Sequence, residues 1–198
     1  MYFVKKTGST GGKGVNIYNY DDLLKVDTTN CVIHKNICNP DLYENKRYKI
    51  RQLVLLYESN IYVYKNSWCS LSNYDYHSIP NDKLRDAHVI YQKHDTMFIM
   101  LNKLANFDLI FKNIKLALKD FQKYYQKEIN AINGNDYCVL GFDFIVDDKK
   151  DVQIIEINHR SNYQHPRNVS LECDVKFFKD MIKLMTTNNT DNTLFQTI

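Results

Sequence analysis

Long apolar runs are missing from this 198-residue sequence. None approaches the roughly 18–20 residues that cross a bilayer, and the first residues lack the apolar segment of a secretory signal. The five cysteines are an odd number without a Cys-x-x-Cys pair, so neither a disulfide framework nor a zinc site is indicated. The 26 basic residues face 23 acidic ones, and this small excess argues against nucleic-acid binding. We expect a globular cytoplasmic protein that binds neither membrane nor nucleic acid.

Glycine and proline are also rare, with six and three residues, and neither a flexible linker nor an internal repeat divides the chain. A chain of this length forms one large domain or two small lobes. Alternating patterns predict strands at 2–6, 15–18, 31–34, 50–57, 60–65, 68–72, 138–146 and 152–157. Helical periodicity predicts helices at 21–26, 107–129 and 171–185, and the polar tail after residue 186 is expected to fray.

Four of the six glycines lie in one segment, residues 5–14, between two predicted strands. Glycine lets backbone N–H groups approach a phosphate closely, and Lys5 and Lys13 add positive charge on either side. The segment is not a Walker A loop, because Gly14 and a strand follow Lys13 where that loop needs Ser or Thr and a helix. It is therefore either a phosphate-binding loop or a flexible hairpin tip.

Polar residues interrupt the two strands predicted at 138–146 and 152–157. Asp143 lies in the first, and Glu156 and Asn158 lie at the end of the second, two residues apart and so on one face. Buried carboxylates are costly without a partner, and oxygen ligands on adjacent strands suit Mg²⁺ better than zinc. The alternative is that Asp143 and Glu156 pair with lysines at a strand edge.

A basic segment, residues 47–51, opens the strand that leads into the apolar run 53–56. The simplest interpretation of Arg47 and its neighbours is an exposed basic strand edge. Arg51 directly precedes the apolar run, however, and a guanidinium held there is able to clamp a phosphate with two N–H groups.

In combination these segments resemble the ATP-grasp ligases, and most closely the tubulin tyrosine ligase-like family. That family has, in order, a strand with a lysine, a glycine-rich lid, a strand ending in Gln-Lys-Tyr, a Lys-Phe-Asp-Ile-Arg strand, a His-Leu-Thr-Asn segment, Gly-Phe-Asp and Glu-Ile-Asn. The matching segments here are 3–5, the glycine-rich segment, 32–35, 47–51, 88–91, 141–143 and 156–158, in the same order. The resemblance covers residues 2 to 185.

The resemblance implies an α+β fold of the ATP-grasp type, in which two α+β lobes with antiparallel sheets sandwich a nucleotide. The implied divisions are a lid lobe at 1–36 with the glycine-rich β-loop-β unit, a catalytic lobe at 37–186, and a frayed tail at 187–198. Such ligases usually carry a further N-terminal lobe before the lid. We therefore expect a catalytic core whose acceptor recognition depends on a partner chain or on a missing lobe.

The resemblance also implies the cofactors ATP and Mg²⁺. The residues that it assigns to the nucleotide phosphates are Lys5, Gly11, Gly12, Lys13 and Gly14. It assigns His34 and Lys35 to the adenine, and Arg47 to the nucleotide as well. The residues that it assigns to the metal are Asp143, Glu156 and Asn158. It assigns to Arg51 the stabilisation of the transferring phosphate. Arg160 belongs to a Glu-x-Asn-x-Arg ending similar to that of other ATP-grasp enzymes, in which the arginine faces the reacting group.

The implied activity is ATP-dependent carboxylate–amine ligation through an acyl phosphate, which adds an amino acid to a protein or peptide, with tubulin as a candidate acceptor. The sequence departs from the family at Lys49, Tyr91, His34 and Ser70, where the family has Asp, Asn, Gln and an arginine. The departures at Lys49, Tyr91 and Ser70 favour a nucleotide-binding pseudoenzyme or interaction module. Arg160 and the lack of a strongly basic surface favour a generic ATP-grasp ligase acting on small metabolites.

Overall fold

The computed structural model describes residues 1–9, 12–90, 96–134, 136–159, 169–191 and 193–198, and has a mixed α/β fold with antiparallel sheets. The chain divides into two compact units. The first unit comprises Met1–Tyr48 and Ser70–Met97, and the second comprises Lys49–Cys69 and Phe98–Ile198. The first unit thus contains all of the expected lid lobe, residues 1–36, together with segments that were expected in the catalytic lobe.

The secondary structure begins with strands and ends with helices and strands in alternation. The strands are β1 (Tyr2–Lys6), β2 (Val15–Tyr18), β3 (Cys31–Lys35), β4 (Leu42–Tyr43), β5 (Lys46–Tyr57), β6 (Asn60–Tyr64), β7 (Trp68–Asp75), β8 (Phe98–Met100), β9 (Tyr137–Val146), β10 (Val152–Asn158) and β11 (Phe195–Thr197). The helices are α1 (Tyr20–Leu23), α2 (Leu84–His88), α3 (Phe107–Tyr124), α4 (Gln126–Asn130) and α5 (Val175–Thr187). A single π-helical turn, Ser170–Asp174, precedes α5.

The first unit contains a small antiparallel sheet in the order β2–β1–β3. Val4 on β1 and Val15 on β2 are buried on opposite faces of this sheet, and the glycine-rich segment joins these two strands. Asn19 caps α1 by accepting a hydrogen bond from the N–H of Asp22 at 2.8 Å. The helix is shorter than the predicted 21–26, because it has no buried face and Leu24 beyond it is 69% exposed.

The second unit is built on an antiparallel sheet in the order β10–β9–β5–β6–β11. The segment 53–56 of β5 is buried on both faces, as expected for a strand in the middle of a covered sheet. Helix α3 buries Ile110, Ile114 and Leu118, which lie four residues apart on one face. Its Phe121 ring meets Phe142 of β9 edge to face at 5.0 Å, so that α3 covers the face of the sheet that carries Phe142.

The helix predicted at 107–129 is divided in two. In one continuous helix the apolar spacing would direct Tyr124 towards the core, but Tyr124 is 85% exposed. Helix α3 ends there, Tyr125 leaves the helical conformation, and α4 directs Ile129 into the interior with 1% exposure. No helix in the described residues is both long and apolar enough to cross a membrane.

An aromatic cluster holds α5 and the end of the chain against the sheet. The Phe195 ring lies 4.9 Å from Tyr64, 5.3 Å from Phe177 of α5 and 6.3 Å from Tyr62. Phe195 is 4% exposed and opens β11, which pairs with β6. The expectation of a frayed tail is therefore wrong for residues 195–197, because a buried aromatic ring and ladder hydrogen bonds compensate the entropy of ordering them.

Replacing Phe195 with Ala should lower the free energy of unfolding by about 3 kcal/mol, because the change leaves a cavity among three aromatic rings. Urea titration followed by circular dichroism measures this change. The matched control is Leu116→Ala on the solvent side of α3, where 51% exposure predicts a loss below about 0.5 kcal/mol. Equal losses in the two variants contradict a buried tail.

Candidate functional site

A row of polar residues crosses three strands of the second unit. Arg51 of β5 lies opposite Asp143 of β9, which in turn lies opposite Glu156 of β10. Asn158 lies opposite Gly141 and so shares the face of Glu156. The structure thus brings together Arg51 and the three residues that were assigned to a metal.

An irregularity in β10 creates this row. The pairing runs from Val152 to Ile154, then shifts by one residue, so that Glu156 rather than Ile155 lies opposite Asp143. Without the shift, Glu156 and Asn158 would turn to the other face of the sheet, where Phe142 meets α3. Sequence reasoning missed the irregularity, because the apolar pair Ile154 and Ile155 looks the same in a regular strand and in a strand with one extra residue.

Asp143 is the most buried member of the row, with 1% of its side chain exposed. Its Oδ1 accepts a hydrogen bond from Arg51 Nε at 2.5 Å, and its Oδ2 accepts from Lys49 Nζ at 2.8 Å and from Arg51 Nη2 at 3.2 Å. Burial alone raises the pKa of this carboxyl, but the charges and hydrogen bonds of Lys49 and Arg51 hold the pKa below its ordinary value. Asp143 is therefore a carboxylate clamped by two cations.

The remaining members of the row are less enclosed. Glu156 and Asn158 are half-buried, but the Asn158 Nδ2 atom is buried and has no hydrogen-bond partner among the described residues. A buried N–H without an acceptor is costly and is suited to a ligand oxygen. Arg160, which was assigned to the reacting group, lies outside the described residues.

The oxygens of Asp143, Glu156 and Asn158 are of the type that Mg²⁺ prefers. The surroundings of Asp143 do not fit that ion, because Lys49 and Arg51 already donate to both of its carboxylate oxygens. A divalent ion must displace at least the Lys49 ammonium to bind there. Asp143 is therefore already ion-paired through both of its oxygens without a metal.

The residues assigned to phosphates and adenine lie in the first unit. Lys5 pairs with Val15 and Val32, while His34 and Lys35 lie opposite Phe3 and Tyr2. Lys13 is exposed at the turn, and Gly11 lies outside the described residues.

Gly12 and Gly14 have φ angles of 71° and 74°, and a Cβ on Gly14 would lie 2.6 Å from Ser9 Oγ. The turn thus requires glycine at position 14.

The side chain of Arg85, on α2, anchors the glycine-rich turn by binding backbone carbonyl groups on either side of it. Its Nη2 donates to the Gly12 carbonyl at 2.6 Å, and its Nε donates to the Val15 carbonyl at 2.9 Å. Two bonds from one rigid guanidinium fix both sides of the turn. Sequence reasoning missed Arg85, since it belongs to no motif and is about 70 residues away from its partners.

Arg47 is buried, with 4% exposure, and lies beside neutral groups. Its Nη1 donates to Asn36 Oδ1 at 3.1 Å and to Nδ1 of His88, and its guanidinium lies 5.9 Å from the Phe3 ring centre. Its Nε has no hydrogen-bond partner among the described residues. Burial lowers the pKa of Arg47 to about 10, and burial together with the charge of Arg47 lowers the pKa of His88 to about 4. Arg47 is thus a buried cation in the first unit, not the exposed strand edge of the simplest interpretation.

The mixed α/β architecture with antiparallel sheets is consistent with an ATP-grasp-like fold. The family model of the tubulin-tyrosine ligase family matches residues 1–134, and the chain belongs to that family. It is similar to tubulin glycylase 3C of Tetrahymena thermophila, with 22% identity over 221 residues, which covers 93% of this chain and 20% of that protein. Tubulin glycylase 3B of the same organism is 22% identical over 214 residues, which covers 93% and 18%. The chain therefore spans about a fifth of the length of these curated relatives.

Replacing Arg85 with Ala should release the glycine-rich segment, because both carbonyl anchors are lost. Hydrogen–deuterium exchange at residues 12–18 measures the effect, and we expect protection to fall at least about tenfold, given the strength of bonds to a charged group. Lys83→Ala, an exposed change near the same helix, should leave protection unaltered. Unchanged exchange in Arg85→Ala contradicts the tether.

The low pKa of His88 should make stability depend on pH. The ordinary pKa of 6.5 applies to the unfolded chain and the value of about 4 to the folded one, so between these values the unfolded chain binds more protons. Stability therefore falls as the pH decreases from 6.5 to 4. We expect the wild type to lose about 2 kcal/mol more than His88→Gln over this range in urea titrations, after allowance for solvent screening. The exposed His77→Gln control should follow the wild type, and parallel curves for wild type and His88→Gln contradict the prediction.

Proposed function

We propose that this chain supplies the catalytic core of an ATP-dependent carboxylate–amine ligase that adds an amino acid to a protein or peptide. The observation that carries the proposal is the row of Arg51, Asp143, Glu156 and Asn158 across three adjacent strands, in a chain of the tubulin-tyrosine ligase family. The names of the two relatives make glycine the first amino acid to test and tubulin the first acceptor. Five free cysteines are in keeping with action in a reducing cytoplasm.

The proposed reaction has two steps. An oxygen of the acceptor carboxylate attacks the γ-phosphorus of ATP, and the bond to ADP breaks, which gives an acyl phosphate. The amine of the added amino acid then attacks the acyl carbon, phosphate leaves, and the nitrogen loses a proton to form the amide. We assign to Arg51 the neutralisation of charge on the transferring phosphate; the supporting observation is that its guanidinium is held by Asp143 at a partly enclosed face. The N–H of Asn158, which is buried without a hydrogen-bond partner among the described residues, is proposed as a second donor to an oxygen of the reactants.

Residues of the first unit are proposed to bind the nucleotide. Lys5, Lys13 and the turn glycines Gly11, Gly12 and Gly14 are assigned to the phosphates, and His34, Lys35 and Arg47 to the remainder of the nucleotide. The burial of Arg47 beside neutral partners supports a role in binding an anion, since a buried cation lacks compensation without one. Acceptor recognition is proposed to depend on a partner chain or on a lobe beyond this chain.

The family uses ATP with Mg²⁺ in general, and the ion supplies charge neutralisation to the phosphates when it is bound. The clamped Asp143 does not fit the ion, so neither step above is assigned to a metal. The same ion pairing favours a second candidate function, a nucleotide-binding protein without ligase activity. Ser70, which replaces an arginine of the family, also favours it.

The ligase proposal predicts transfer that requires both ATP and an amino acid. Because acceptor recognition is proposed to lie outside this chain, the purified chain is incubated with ATP, each amino acid in turn and a high concentration of a tubulin tail peptide, and mass spectrometry records addition to the peptide. We expect addition with glycine, and a loss of at least about 100-fold in Glu156→Gln, because this change keeps the size but removes one of the two anions that balance the charges of Lys49 and Arg51 beside the reacting groups. The matched control is Glu128→Gln on α4, an exposed residue that should retain the wild-type rate.

Two outcomes contradict the ligase. Addition that continues without ATP, or a Glu156→Gln variant as active as Glu128→Gln, removes the support for the row as the reacting site. Nucleotide binding without addition to any peptide or free amino acid identifies the second candidate function instead.

A further inference from the structure

The Lys49 ammonium occupies an unusual place for a lysine. Its side chain is 16% exposed and its Nζ lies 2.8 Å from Oδ2 of Asp143, whose side chain is 1% exposed. Lys49 and Arg51 are two residues apart on β5 and therefore point to one face, and Arg51 is directly opposite Asp143. The long, flexible stem of lysine lets Lys49 reach the same carboxylate from the neighbouring position.

Lys49 balances the charge of the row without any ion. Lys49 and Arg51 are two cations, and Asp143 and Glu156 are two anions, so the row together with Lys49 is formally neutral. Removing the charge of Lys49 leaves one excess negative charge, and Oδ2 of the buried carboxylate then keeps the longer hydrogen bond from Arg51, at 3.2 Å. That change converts a closed ion-pair network into a set of oxygens that a divalent cation is able to complement.

We propose that the Lys49 ammonium takes the position of a divalent metal ion at Asp143, so that this chain binds metal weakly and binds nucleotide phosphates without it. The first part concerns the free protein only. The second part rests on the proposed function, because it requires that the chain binds ATP. In both parts Lys49 supplies a single positive charge where a metal would supply two, and it cannot dissociate from the protein.

Metal binding by the free protein tests the first part. Mn²⁺ is titrated into wild type, Lys49→Met and Lys49→Gln, and electron paramagnetic resonance measures the unbound ion. We expect both variants to bind at least tenfold more tightly than wild type, and the gain to disappear in Lys49→Met combined with Glu156→Gln. Lys123→Met, which removes a lysine from the exposed pair with Asp120, should bind as the wild type does.

Two results overturn this part of the proposal. One is a wild-type affinity for Mn²⁺ equal to that of Lys49→Met, and the other is the absence of binding in every variant. Thermal unfolding of each variant accompanies the titration. Lys49→Gln keeps a hydrogen-bond donor for Asp143, so it preserves the test if Lys49→Met fails to fold.

Nucleotide binding tests the second part. Calorimetric titration with ATP is carried out in EDTA and in Mg²⁺. We expect the ATP affinity of the wild type to differ less than twofold between the two conditions. The ATP affinity of Lys49→Gln should be at least tenfold lower than that of the wild type in EDTA and should return to the wild-type value in Mg²⁺. A wild type that binds ATP only with Mg²⁺ overturns the proposal. A wild type that binds no ATP under either condition overturns this second part and the proposed function together, while the Mn²⁺ titration still decides the position of Lys49.

Discussion

The clamped carboxylate of Asp143 is the interaction on which the arrangement of the second unit depends. A carboxylate with 1% exposure is unfavourable by several kcal/mol unless cations and hydrogen bonds compensate it. Lys49 and Arg51 provide that compensation only in the observed register of β5 and β9. A slip of one residue would carry both cations to the face where Phe142 and Phe144 pack, and would leave Asp143 without partners. The ion pairs thus select one register for the central strands.

Because of that register, the two faces of this sheet carry different types of side chain. One face carries Phe142 beneath α3. The opposite face carries the charged row and, further along β5, Leu53 and Leu55, which pack in one cluster with Phe177 of α5 and Phe195. The irregularity of β10 adds Glu156 to this face at the cost of one unpaired residue. Rigid strands rather than loops therefore position the polar groups, which is the arrangement that suits a site requiring fixed charges.

The first unit relies on two arginines that donate hydrogen bonds to neutral acceptors. Arg85 bonds to backbone carbonyls on both sides of the glycine turn, and Arg47 lies between Asn36 and His88 with 4% exposure. Motif reasoning identified Arg47 but not Arg85, because the partners of Arg85 are carbonyl groups that any sequence possesses. It also treated Lys49 only as a departure from a family pattern. The ion pair of Lys49 with Asp143 joins residues 94 positions apart and became visible only in the structure.

The sequence by itself determined the features that depend on neighbouring residues. The spacing of Ile110 and Ile114 specified the start and buried face of α3, and the order of short motifs identified the family that residues 1–134 match. Tertiary structure alone decided where α3 stops, that Phe195 anchors a strand, that Glu156 rather than Ile155 faces Asp143, and that Lys49 closes the row. The reason is physical: periodicity is encoded over a few residues, whereas strand register and ion pairing depend on which distant segments bury each other's surfaces and charges.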